Sequence, residues 1–274
     1  VNQDHASNST PTCDPLTIIA VGLLVGALVD LIHEGLGHGG ACLLMGGKPM
    51  LLTSMNFVGD QSSLPRSTSR IVAAGGTIAN LLAAALALAK LRRPPASAHF
   101  HYFLWLFAAI NLYIGTGYFL FSGVSNIGDW ANVIAGLPGH WIWRGLLTLV
   151  GGASYFLCVR AMLSKALPLV GGDPAIRYRR ANLLMVVPYI AGAIMSVIAG
   201  ALNPEAKALI LISAVAASLG GMSGLAWGPQ LLRDPQWLTS PTRPAPIPRH
   251  WGWIAAGLLV AVVFVAVFGP GLRM

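Results

Sequence analysis

Residues 16–45 read LTIIAVGLLVGALVDLIHEGLGHGGACLLM, and the reading of this stretch decides the fold. From Leu16 to Ile32 the sole ionisable residue is Asp30; His33, Glu34 and His38 then crowd into six positions. Seventeen residues from Leu16 to Ile32 form a helix about 25 Å long, most of a hydrocarbon core of about 30 Å. The stretch is a membrane span whose polar cluster falls near the far boundary. It is not a secretory signal, because no basic region precedes it and His33-Glu34 stands where a small-residue cleavage site belongs.

Similar runs recur near 70–90, 101–121, 142–163, 182–202, 206–228 and 252–269. With 55% hydrophobic and 9% charged residues, a soluble domain of ordinary composition is excluded. The expected fold is an all-α, polytopic integral membrane bundle of six or seven transmembrane helices, the number depending on how 122–140 is threaded. Residues 1–15 read as a polar tail, 16–140 as a core, and 141–274 as additional helices with a proline-rich linker near 235–250. The connector GGKPMLLTSMNFVGDQSSLPRSTSR after the first span holds a β-prone stretch from Leu51 to Val58. The expected location is a bacterial inner membrane, as a multi-pass protein in contact with the lipid bilayer.

The net charge of +8 comes from lysines and arginines at span ends, as in KLRRPP and RYRR. This is membrane anchoring, and no basic groove with interleaved aromatics suggests nucleic acid. Cys13, Cys42 and Cys158 make no C-x-x-C pair, so neither a cysteine zinc site nor a disulfide framework is indicated. Counted by alternate connections, basic residues favour the side of the N-terminus as cytoplasmic.

An ionisable group at membrane depth costs several kcal/mol unless paired, so Asp30, Glu34 and Asp129 are functional candidates. On a regular helix Asp30, His33, Glu34 and His38 share a face within an arc of roughly 140°. The histidines, five apart, lie at its limits, whereas H-E-x-x-H brings two zinc ligands one turn apart. A single π-type bulge absorbs the extra residue and returns His33 and His38 to register, and Gly35 and Gly37 ease such a distortion.

HEGLGH resembles the expanded zinc motif of the dipeptidyl peptidase III family, which is soluble. Its surroundings resemble instead the site-2 protease class of intramembrane metalloproteases, the M50 peptidases. There a membrane helix carries H-E-x-x-H and leads into a glycine-containing segment and a β-like loop, as His38 leads here into GGACLLMGGKPM. AAGGTIANLLAAAL resembles the G-P-x-x-N-L-L helix of that class at Gly76, Asn80, Leu81 and Leu82, with Thr77 in place of proline. SNIGDWANVIAGL supplies Asp129 about where the class has its third ligand, an aspartate, although Gly128 and Trp130 depart from the usual flanks. The resemblance covers roughly residues 16–137. It implies Zn2+ held by His33, His38 and Asp129, cleavage of a membrane protein or peptide substrate, and a cytoplasmic HEGLGH end, opposite to the basic-residue count.

The chemistry suits these residue types. Two imidazoles and a carboxylate leave a fourth tetrahedral position open on zinc; Glu34 can act as general base; and an amide such as Asn80 can hold a substrate backbone or a developing oxyanion. The β-prone connector offers an edge for an unwound substrate. Each residue also has a structural reading: a buried polar network or proton path for the His/Glu/His cluster, a helix N-cap for Asp129, and an interhelical hydrogen bond for Asn80. Asp30 reads equally as a partner of His33 and as a boundary residue. A non-hydrolytic transporter or metal-binding membrane protein would use the same cluster. A serine dyad of Ser154 with His250, or an aspartyl pair of Asp30 and Asp129, would leave the histidine motif without a role.

Overall fold

In the computed structural model, which describes residues 12–62, 64–204, 215–237 and 243–274, long apolar helices form a bundle with a small sheet at one end. Helix α1, Pro15–Leu31, starts where the Asp14 carboxylate accepts from the N–H and hydroxyl of Thr17 at 3.0 and 2.9 Å. The cap satisfies an otherwise orphaned donor, and Pro15 has none to satisfy. The helix continues through a π-helical turn, Ile32–Gly39, into α2, Gly40–Leu44. Strands β1, Lys48–Leu52, and β2, Phe57–Asp60, then form an antiparallel hairpin. The single β-prone stretch expected from Leu51 to Val58 is thus folded at its middle. Thr53 makes the turn: its hydroxyl oxygen accepts from the N–H groups of Met55 and Asn56 at 3.1 and 2.9 Å.

Helices α3, Arg66–Leu91, and α4, Ala98–Ser125, follow. The chain turns through Asn126 at φ 57° and Gly128 at φ 86° into α5, Asp129–Ile134. Region 122–140 therefore holds a turn and a short helix, with no span of its own. Next come α6, His140–Val170, α7, Pro174–Ala181, a π turn, Asn182–Val186, and α8, Val187–Ala201. A π turn, Ala216–Gly221, leads to α9, Gly224–Leu231. Finally α10, Trp251–Val263, passes through a π turn, Phe264–Phe268, to β3, Leu272–Arg273. Strand β3 pairs with β1 in the order β2-β1-β3.

Among the described residues, six helices are long and apolar enough to cross a bilayer: Pro15–Leu44, Arg66–Leu91, Ala98–Ser125, His140–Val170, Ile176–Ala201 and Trp251–Phe268. The expected run at 206–228 lies partly outside the described residues, as does part of the proline-rich linker. The centre of the bundle is α4, whose Tyr102, Trp105, Leu106, Ile110 and Tyr113 are buried. Two of its large buried polar side chains are paired: the Trp105 indole donates to the Met162 carbonyl and the Tyr102 hydroxyl to the Leu184 carbonyl, both at 2.9 Å. Outward-facing Leu82, Leu86, Leu149, Leu157 and Leu259 are exposed, as a lipid-facing surface requires.

The bundle has two ends. At one, the Thr17 hydroxyl accepts from the His250 N–H at 3.1 Å and Asp14 pairs with Arg249 at 3.0 Å. At the other lie the hairpin, α5 and the start of α3. There the Ser54 N–H donates to the Phe268 carbonyl at 2.7 Å and the Asn203 amide to the Thr53 hydroxyl at 3.1 Å. The end of α8, the end of α10 and the C-terminal strand thus brace one hairpin.

Candidate metal centre

The extra residue of HEGLGH is absorbed as π helix. Its end shows the wider pattern, with the Gly40 N–H donating to the Gly35 carbonyl, one residue further back than in an α-helix. His33 and His38 consequently face the same way, rings edge to face with centroids 4.9 Å apart. The turn is pressed against α3 through glycines: a Cβ added at Gly37 would stand 2.5 Å from the Gly76 Cα and 2.8 Å from the Gly75 carbonyl oxygen. Only bare backbone permits this approach.

Asp129 comes to the histidines from α5. Gly128 occupies the N-cap position, so Asp129 does not cap the helix and its carboxylate is free to turn inward. The short helix is fastened to α3 at both ends: the Trp130 indole donates to the Thr77 hydroxyl and the Arg70 guanidinium to the Ala135 carbonyl, each at 2.9 Å. Burial alone would push the Asp129 carboxyl up, but the neighbouring His38 and His33 imidazoles outweigh it and hold the group below the usual carboxylate range.

Three donor atoms converge from these elements. Asp129 Oδ2 lies 3.0 Å from His33 Nε2 and 3.4 Å from His38 Nε2, and the two Nε2 atoms are 3.3 Å apart. Atoms bound tetrahedrally to zinc at about 2.0–2.1 Å are separated by roughly 3.3–3.4 Å, so the triangle fits such an ion. The other ring nitrogens are occupied. His38 Nδ1 is 2.8 Å from the Val72 carbonyl oxygen, which can only accept, so Nδ1 carries a proton and Nε2 is the nitrogen left to face Asp129. His33 Nδ1 faces Asn80 Oδ1 at 2.5 Å in the same sense. Two imidazole nitrogens and a carboxylate oxygen come this close only when they share a cation, either a metal ion or a proton that makes an imidazolium pair with Asp129. Together, His33, His38 and Asp129 form a group that could hold a metal ion.

Glu34 is buried beside the triangle, and its carboxylate meets the backbone N–H of Phe57 in β2. With His38, Asp129 and Tyr118 it lines a cleft of about 810 Å3 that opens between the hairpin, α3 and α5. The Tyr118 ring stacks on His33, centroids 4.8 Å apart. Asn56 Oδ1, Gln61 Oε1 and Arg70 Nε belong to residues of the cleft wall. All three atoms are buried without a hydrogen-bond partner among the described residues.

The sequence-derived candidates thus come together, with one change of position. Asn80, expected to handle substrate, is wholly buried behind His33, and its Nδ2 donates to Asn111 Oδ1 at 2.8 Å. Both ends of the amide are committed away from the cleft. Asp30 accepts from the Ser196 hydroxyl at 3.3 Å, while the His33 nitrogen it would have oriented is taken by Asn80. Ser154 donates to the Val150 carbonyl at 2.6 Å within its own helix, and His250 caps α10 at the opposite end. Asn111 and Tyr118 escaped the sequence reading, although Asn111 is the lone amide in the span of α4 and intramembrane polarity marks it. Compared with protein-family models, with curated proteins and with solved structures, the chain finds no match, so the functional reading of the site rests on its own geometry.

Proposed function

We propose that the chain is an intramembrane zinc metalloprotease that hydrolyses peptide bonds of membrane-embedded substrates. The observation that carries the reading is the converging triangle of His33 Nε2, His38 Nε2 and Asp129 Oδ2, with the buried Glu34 carboxylate on the same cleft. When bound, zinc supplies Lewis acidity, polarising a carbonyl and letting water ionise near neutral pH. Glu34, next in the chain to His33, takes the proton of the attacking water on its carboxylate and returns it to the leaving nitrogen. The Phe57 N–H holds that carboxylate at the hairpin.

The cleft suits an extended peptide. A substrate helix must unwind before cleavage, and each freed N–H and C=O then needs a partner. The outer edge of β2, together with Asn56, Gln61 and Arg70, supplies such partners along the wall. Edge-strand addition is a general way to bind an unwound segment.

Metal analysis and proteolysis of one preparation test the reading. Purified wild type should carry one equivalent of zinc, and His33→Ala and His38→Ala should lose it along with activity. Glu34→Gln should keep the zinc and lose roughly 10²–10⁴-fold in cleavage of a membrane-helix substrate. Undiminished proteolysis by Glu34→Gln would remove Glu34 from the mechanism. Zinc binding without any hydrolysis would leave a metal-binding or transport protein.

A further inference from the structure

We propose that Asn111 is a positioning residue that fixes which nitrogen of His33 carries its proton, through a chain of amides that can be hydrogen-bonded in only one sense. A neutral imidazole has one N–H, and a ligand nitrogen must be the other one. Asn80 alone cannot decide between them, because an amide rotated by half a turn offers a donor where it offered an acceptor. Asn111 removes the ambiguity. Its Nδ2 lies 2.8 Å from the Phe107 carbonyl oxygen, one helical turn earlier, and a carbonyl can only accept.

The rest follows in order. With Nδ2 of Asn111 spent on Phe107, its Oδ1 faces Asn80 and accepts from Asn80 Nδ2 at 2.8 Å. Asn80 must then present Oδ1 to His33 Nδ1. That nitrogen carries a proton, so Nε2 is the nitrogen left for the triangle with His38 and Asp129. Asn80 and Asn111 are wholly buried, so no water can exchange with a misdirected donor. His38 reaches the same state in one step through the Val72 carbonyl. A helix carbonyl therefore orients each histidine, directly for His38 and through two asparagines for His33.

The consequence for zinc affinity rests on the metal reading above; the tautomer does not. Metal-free wild type with 15N-labelled histidine, in nanodiscs, should show His33 protonated at Nδ1, whatever Nε2 shares with Asp129. A bare Nδ1 overturns the proposal. Asn111→Leu keeps the branched outline of the side chain and deletes the relay, so the His33 Nδ1 proton should no longer be fixed and zinc affinity, measured against a competing chelator, should fall roughly 10–100-fold. Asn111→Asp retains an oxygen to accept from Asn80 and should restore both readouts. A role in packing alone would lower the melting temperature of the leucine variant while tautomer and affinity stayed as in wild type, and that result also overturns the proposal. If the leucine variant does not fold, the wild-type and aspartate tautomers decide. Wild type that binds no zinc yet carries the His33 proton on Nδ1 removes the metal reading and upholds the relay, so the two fail separately.

Discussion

Gly76 shows how sharply a single residue defines the centre. A Cβ built there would stand 2.5 Å from His33 Nε2 and 2.7 Å from His38 Nε2, in the space an ion would need. Gly76→Ala is therefore expected to abolish zinc binding while the helix around it persists, read by metal analysis beside circular dichroism. Gly40 is the matching control: its added methyl meets nothing within 4 Å, and Gly40→Ala should raise stability by about 0.5–1 kcal/mol with zinc content unchanged. At this scale the sequence carried much of the site. The three metal-site candidates and Glu34 were visible as polar residues in apolar runs, because a bilayer makes such residues conspicuous. The place of Asn80 was not visible. A helix face tells which residues share a side, but which of two neighbours an amide bonds depends on α4, far along the chain.

Among the elements, the π turn was legible and the hairpin was not. One residue too many between two like ligands can be accommodated only by widening the helix, and spacing alone shows it. The hairpin turn depends on Thr53 engaging the backbone of Met55 and Asn56, a side-chain choice that alternation of apolar residues does not reveal. Two substitutions separate the roles of the supporting helices. Gly37→Ala must force the π turn away from Gly75 and Gly76, and is expected to cost about 1–3 kcal/mol by thermal melting and to weaken zinc binding with it. Trp130→Phe removes the indole bond to Thr77 and trims the ring packed on Phe119. It should loosen α5 and lower zinc affinity several-fold, read by competition with a chelator.

For the whole molecule, the helices beyond residue 140 gain a role that their hydrophobicity could not announce. They brace the hairpin: Phe268 and Asn203 hold its turn, and the Met274 N–H donates to the Met50 carbonyl at 3.0 Å. Met274→Pro withdraws that donor, so exchange of the β1 and β2 amides should quicken roughly 5–15-fold, the worth of one hydrogen bond of about 1–1.5 kcal/mol. Zinc content should not change, since no candidate ligand lies in the hairpin. The last span also packs parallel to the first, with Gly257 against Ala20 and Phe264 beside Ala27. This pairing sets an order of assembly during synthesis. His33, His38 and Asp129 emerge in the first half of the chain together with α3 and α4, whereas the partner of the outer face of α1 is made more than two hundred residues after α1 begins. Closing a loop of that size costs about 5 kcal/mol in chain entropy, a cost met only once the rest of the bundle has brought the two ends near. The candidate metal-site residues can therefore meet while the first span still has one side open to lipid, and α10 shuts that side afterwards.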